Sequence, residues 1–231
     1  DENFRKTVAF NTTNQQVKDF WLEEYPKYSF QFRANANAPI QNKVGAFLAD
    51  PNLHRILTQP EKTIPIRKIM DEGKILLVNL AKGKIGEDSS SILGGLLVTT
   101  IGLAAFSRAD IPEDERRDFY LYIDEFQNFT TLSLANMLSE LRKYKIGMTL
   151  AHQFLYQLEP DIRYAVLGNV GTIISFRLGP KDAAYIAKEF DPIFSATDLI
   201  NLPNFNIYLK LLIDGAPSKP FSAVTLQFHG I

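Results

Sequence analysis

From Lys74 onward, apolar runs alternate with stretches of helical periodicity. Residues 75–80 (ILLVNL) form a nearly unbroken apolar run, the pattern of a parallel strand buried on both faces. Residues 119–123 (FYLYI), 148–150, 172–176 (TIISF), 207–213 and 223–228 have the same character. Between them the spacing predicts helices over 91–107, 132–144 and 181–190. The middle one sets Leu134, Met137, Leu138 and Leu141 at i, i+3, i+4 and i+7. Strands alternating with helices predict an α/β fold over 73–231, a mostly parallel sheet with helices on both faces. Residues 1–72 read differently. Asn14 or Thr13 is expected to cap a helix running to about Tyr25, a second helix follows Pro39, and a third covers 52–57. Pro26, Pro39, Pro51, Pro60 and Pro65 punctuate these pieces, which are expected to form a small all-helical subdomain. The mixed charge run 109–118 (ADIPEDERRD) reads as a solvated connection.

Composition narrows the classes. The 231 residues carry 25 Lys+Arg against 26 Asp+Glu, and 45% are hydrophobic, close to globular averages. Disordered, collagenous and supercharged classes are excluded, and a chain of this length is expected to bury a substantial core. The absence of Cys removes disulfides, thiol nucleophiles and thiolate metal sites. With a net charge of -1, any nucleic-acid contact has to come from a local groove. The first ten residues lack the basic and apolar segments of a signal peptide, so none is expected there. Residues 92–106 (ILGGLLVTTIGLAAF) are uncharged but fall short of the ~20 residues of a spanning helix. Their glycines and threonines suit close packing, so a buried core helix is expected.

In an open parallel sheet, ligands bind beyond the carboxyl ends of the strands. FYLYI ends in Asp124-Glu125, an acidic pair suited to metal-assisted nucleotide hydrolysis: one carboxylate near Mg²⁺, the other orienting water. Taken alone, the pair also fits an ordinary acidic turn. The strand over 148–150 leads to His152 and Gln153; an amide there suits contact with a γ-phosphate, or simply starts a surface helix. His152 reads as a capping or packing residue. Arg142, eleven positions before Gln153, is a candidate arginine finger, although a cation near a helix C-terminus also suits the helix dipole. Arg177, after TIISF, is a second candidate, and Asp182 falls in the first turn of the next helix. The segment 81–91 (AKGKIGEDSSS) sits between strand and helix where a phosphate loop would. A phosphate loop needs G-x-x-x-x-G-K-[ST], whereas here Lys84 precedes Gly86, and Glu87-Asp88 repel phosphate. Asp88 or Ser89 as a helix N-cap accounts for it better. That motif occurs nowhere in the chain, nor do G-x-S-x-G and G-x-G-x-x-G. His54, His152 and His229 lack ligand spacing.

With these residues in hand, the chain resembles the motor ATPases of bacterial conjugation and type IV secretion: TraG/TraD-type coupling proteins and their HerA/FtsK-like relatives. The resemblance runs from about Ile75 to Phe228, on ILLVNLAKGKIGED, DFYLYIDEFQNF, RKYKIGMTLAHQ and NVGTIISFRLGPKDA. It implies a RecA-like core, with 1–72 similar to the all-α insertion of these ATPases. It further implies that Asp124 and Glu125 are the Walker B pair, Asp124 holding Mg²⁺ through water, and that Gln153 is the sensor glutamine contacting ATP. Arg142 would be the inter-subunit finger, with Arg177 the alternate. Partners implied are further copies in a homo-hexamer, DNA or a secreted protein substrate, and secretion-channel components. The implied location is cytoplasmic, at the inner face of the membrane. The family's phosphate loop belongs upstream of the helical insertion. The chain therefore reads as the C-terminal part of a longer ATPase, inactive alone, or as a non-catalytic RecA-like module that binds DNA or a motor partner.

Overall fold

Short polar side chains start the N-terminal helices, because their oxygens accept the amides that a helix leaves unpaired. Asp1 accepts from Asn3 and Phe4 ahead of α1 (Glu2–Phe10), and Asn14 accepts from Val17 ahead of α2 (Gln15–Asp19). Ser29 accepts from Phe32 ahead of α3 (Phe30–Ala49), and Asp50 from Leu53 in α4 (Pro51–Leu57). The expected break at Pro39 is absent: α3 runs through it. Ala34, Ala36 and Ala38, strong helix formers, precede the proline and carry the helix across the lost hydrogen bond. The π-helical turn Phe20–Glu24 follows α2, and the rings of Phe20, Trp21, Tyr25, Tyr28 and Phe32 pack in succession, by turns edge to face and tilted. The guanidinium groups of Arg5 and Arg33 lie 5.4 and 5.7 Å from the centre of the Tyr25 ring.

The structure, a computed structural model, describes residues 1–59, 64–130, 134 and 137–226. It divides into two units, Asp1–Thr63 and Ile64–Ile231. The boundary lies before α5 (Ile66–Asp71), which the sequence reading had grouped with the helices of 1–72. Ile66 and Met70 bury into the core of the second unit, and this assigns the helix.

At the centre of that unit β1 (Phe119–Ile123) and β2 (Ile146–Leu150) pair in parallel, Phe119 opposite Ile146 and Ile123 opposite Leu150. The 20-residue helix α7 (Glu87–Phe106) follows a short α6 (Lys82–Ile85) and packs into the same core. Ser90, Gly94, Val98, Ile101 and Ala105 form its buried stripe, while Leu96 and Leu103 are exposed. By length and composition alone it could cross a membrane; in the fold only one stripe of it is core. A Cβ on Gly94 would meet the Phe129 ring at 2.1 Å, and one on Gly102 would meet Met137 Sδ at 1.8 Å, so both glycines admit a neighbour. The expected cap at Asp88 or Ser89 is not used. The cap is two or three residues earlier, at Gly86 with φ +83°, and Glu87 and Asp88 stand in the first turn of the helix, where they complement the dipole.

Residues 75–80 do not form the expected strand. Among the described residues no ladder joins them to β1, and Ile75 and Leu77 are 88% and 89% exposed. Arg108, just after α7, is fully buried. It pairs with Asp71 at 3.2 Å and donates to the carbonyls of Tyr144 and Arg117, tying α5, α7 and the entries to both strands together.

The remaining strands form an antiparallel sheet, β3 (Ile173–Ser175), β4 (Asn206–Lys210) and β7 (Phe221–Val224), in the order β3-β4-β7. The run expected over 207–213 breaks after Lys210. The hairpin β5 (Leu212–Ile213) and β6 (Ala216–Pro217) turns through Asp214-Gly215, both at positive φ, as a type I′ turn demands. Residues 227–228 of the run expected over 223–228 lie outside the described residues, as does His229. Of the helix expected over 132–144, residues 134, 137 and 138 are helical, 141–144 form a 3₁₀ turn, and 131–133, 135 and 136 lie outside the described residues. Leu134, Met137 and Leu141 are buried, as the spacing predicts. Helices α8 (Pro160–Asn169), α9 (Pro180–Phe190) and α10 (Ala196–Ile200) complete the unit.

Candidate nucleotide-hydrolysis site

Parallel pairing brings the carboxyl ends of β1 and β2 side by side, so the residues just past one strand meet those just past the other. The Ala151 amide donates to the Ile123 carbonyl, and the Phe126 amide donates back to the Ala151 carbonyl. Phe126 is fully buried, and its ring meets the His152 ring edge-on at 5.2 Å. Between these anchors Glu125 takes a left-handed backbone conformation, φ 50° and ψ 42°, which costs a residue with a Cβ about 1–3 kcal/mol. Its carboxylate accepts from the Gln153 amide on one oxygen and from the Gln127 amide on the other. Each oxygen keeps a second lone pair for a further donor.

Asp124 is exposed, and one of its oxygens accepts the Glu125 amide at 2.9 Å. Asn128 donates to the Glu125 carbonyl at 3.0 Å and accepts from Lys82 Nζ at 2.9 Å; the same ammonium pairs with Glu87. Lys82 is thus engaged with neighbouring side chains. Among the described residues no three metal-ligating side chains cluster. Two carboxylates, one with a free oxygen, suit Mg²⁺, which keeps several waters and takes its remaining ligands from phosphates.

The loop carrying Gln153 is held from beyond. Asp182, buried in the first turn of α9, accepts the amides of Leu155 and Tyr156, each at 3.0 Å. Burial holds the His152 imidazole below its ordinary value of 6.5, against the opposing pull of the Asp182 and Glu125 carboxylates.

Of the residues singled out from the sequence, Asp124, Glu125 and Gln153 come together here. Arg142 does not. It is exposed in the 3₁₀ turn before β2, at the strand end opposite Gln153, roughly 15 Å away at a strand's rise per residue. Arg177 is exposed after β3, five residues before Asp182. The sequence reading missed Gln127 and Asn128 beside the acidic pair and Phe126 beneath it; it placed Asp182 in the first turn of its helix, where the structure has it, but did not connect it to the Gln153 loop. The two amides of DEFQNF were the available signal, since a carboxylate held off the strand end needs donors.

A two-stranded parallel pair ending in carboxylates and an amide, with α7 packed into the same core, defines the class as an α/β fold. No family model and no curated protein matches the sequence. Solved structures match by fold. The unbound monoclinic form of the bacterial conjugative coupling protein TrwBΔN70 aligns over 96% of this chain and 57% of its own, with a TM-score of 0.67 and 17% identity. TrwB in complex with ADP and Mg²⁺ aligns with the same coverage at 0.63 and 16%, and TrwB with the non-hydrolysable GTP analogue GDPNP at 0.62 and 17%. The chain therefore resembles a conjugative coupling protein and shares its RecA-like fold, spanning a little over half the length of those chains.

Proposed function

We propose that residues 1–231 are the C-terminal part of an ATP-driven motor of conjugation or type IV secretion. The observation that carries this is the Gln153-to-Glu125 hydrogen bond across the ends of two adjacent parallel strands, in a fold shared with TrwB. Asp124 and Glu125 are the Walker B pair and Gln153 the sensor. Asp124 would hold Mg²⁺ through water, and the ion would supply neutralisation of charge on the phosphates. Glu125 orients the attacking water, its carboxylate held in one rotamer by Gln127 and Gln153. Gln153 leaves its own amide oxygen to accept from that water, so it senses what occupies the site.

The phosphate loop comes from polypeptide outside residues 1–231, and Arg142 from a neighbouring copy in a homo-hexamer, with Arg177 the alternate. The helices of 1–72 correspond to an insertion in the RecA-like core. The substrate is DNA or a secreted protein, handed to channel components at the cytoplasmic face of the membrane.

Replacing Glu125 by Gln in the longest native polypeptide tests the reading. Mg²⁺-dependent ATP turnover is expected to fall at least about 100-fold with nucleotide binding retained. Turnover indifferent to the change would favour a non-catalytic module that binds DNA or a motor partner. Substantial turnover by residues 1–231 alone, abolished by E125Q, would overturn the dependence on an external phosphate loop.

A further inference from the structure

Glu125 adopts a backbone conformation that a residue with a Cβ does not prefer, so its surroundings must hold it there. Its carbonyl accepts two donors, the backbone amide and the side-chain amide of Asn128, each at 3.0 Å. The second bond depends on which way the Asn128 side chain is turned. Turned over, it would set two oxygens against each other and lose the donor. Lys82 fixes the orientation. Its ammonium lies 2.9 Å from Asn128 Oδ1 and has only protons to offer, so the oxygen faces the lysine and the NH₂ faces the Glu125 carbonyl.

Lys82 is restrained in turn. It opens α6, and Glu87, in the first turn of α7, accepts from the same ammonium at 2.9 Å. One chain of hydrogen bonds thus runs from the start of α7 through Lys82 and Asn128 to the Glu125 carbonyl. Lys82 and Asn128 also line one cavity with Asp124 and Glu125. This chain is poorly placed to stabilise the fold. The Lys82 and Glu87 side chains are 42% and 74% exposed, and ion pairs so exposed contribute little. Its effect falls on the geometry of the acidic pair instead.

We propose that Lys82 is a positioning residue for the Glu125 carboxylate. Acting through Asn128, and without itself contacting nucleotide, it keeps the left-handed turn that directs this carboxylate toward Gln153. The inference rests on the reading of Glu125 as the group that orients the attacking water.

The longest native polypeptide carries the test, in the variants K82M, K82R, N128A, K82M/N128A and E125Q. Amide hydrogen exchange is read first, without nucleotide. In K82M the backbone amide of Asn128 is expected to exchange about tenfold faster, with α7 unchanged and K82R close to wild type. In ATP turnover, K82M is expected to lose about tenfold in kcat at an unchanged KM, and K82R to recover most of that loss. N128A should lose as much, and K82M/N128A no more than N128A alone, because the lysine acts only through that amide. Wild-type exchange and turnover in K82M would overturn the proposal. So would a raised KM at unchanged kcat, which puts Lys82 on the nucleotide, or losses that add in the double variant, which give it another route. E125Q separates the two readings. Turnover that survives E125Q defeats the catalytic reading, whereas turnover lost in E125Q but kept in K82M defeats the role of the lysine alone.

Discussion

Glu125 is held in place by its neighbours rather than by its own preferences. Its left-handed backbone aims the carboxylate at Gln153, and Gln153 keeps its position because Asp182 accepts two amides just beyond it. Asp182→Ala leaves those amides buried and unpaired, at a cost of about 1–3 kcal/mol. Chemical denaturation of the purified protein is expected to show that loss, with ATP turnover in the native polypeptide falling alongside it. A turnover unchanged in Asp182→Ala would mean that Gln153 needs no such support. His152 supplies a pH signature. Because burial lowers its folded-state value, the unfolded chain binds the proton more readily. Its contribution is complete above the ordinary value of 6.5 and is lost as the pH falls below that value toward the depressed folded one. Melting temperature should therefore drop on acidification from pH 7.5 to 5.5, and His152→Gln should flatten that part of the profile.

Helix α7 shows how an element is set by what it must accommodate. Gly94 and Gly102 stand where Phe129 and Met137 press against the helix. Gly102→Ala gains about 1 kcal/mol of helix propensity but places a methyl against Met137, and overpacking of this kind costs about 1–3 kcal/mol. A net loss of stability is expected, larger at Gly94, where the neighbour is a rigid ring. Leu103→Ala, on the exposed side, is expected to stay within about 0.5 kcal/mol of wild type. Thermal unfolding of the three variants separates these cases. Arg108 binds the far end of the element, its charge met by Asp71 and two carbonyls. The sequence reading passed over it, between the helix expected over 91–107 and the charge run 109–118, because nothing local distinguishes a buried guanidinium from a solvated one.

At the scale of the molecule, Arg142 and Glu125 lie toward opposite ends of the β1-β2 pair, too far apart for one copy to use both at one site. In the homo-hexamer proposed above, a head-to-tail ring would set Arg142 of each copy against the acidic pair of the next. Mixing E125Q with R142A subunits of the native polypeptide then rebuilds complete interfaces, and part of the turnover that each variant lacks should return. No recovery on mixing would exclude Arg142 as a finger in trans and turn attention to Arg177.

Much of the site could be read along the chain, because a strand followed by polar residues is a local pattern and parallel pairing sets such ends side by side. FYLYI gave β1 to the residue, and Asp124, Glu125 and Gln153 came with it. The helix periodicities at Leu134, Met137 and Leu141 and over 181–190 were equally local. Pairing was not. ILLVNL has every feature of a buried strand, yet a strand exists only where a neighbour offers its backbone, and among the described residues none does. Asp182 and Arg108 likewise acquire their roles from partners 26 to 36 residues away in the chain. Local chemistry determined which side chains stand at the strand ends; only tertiary structure decided what holds them there, because hydrogen bonds between distant segments leave no period in the sequence.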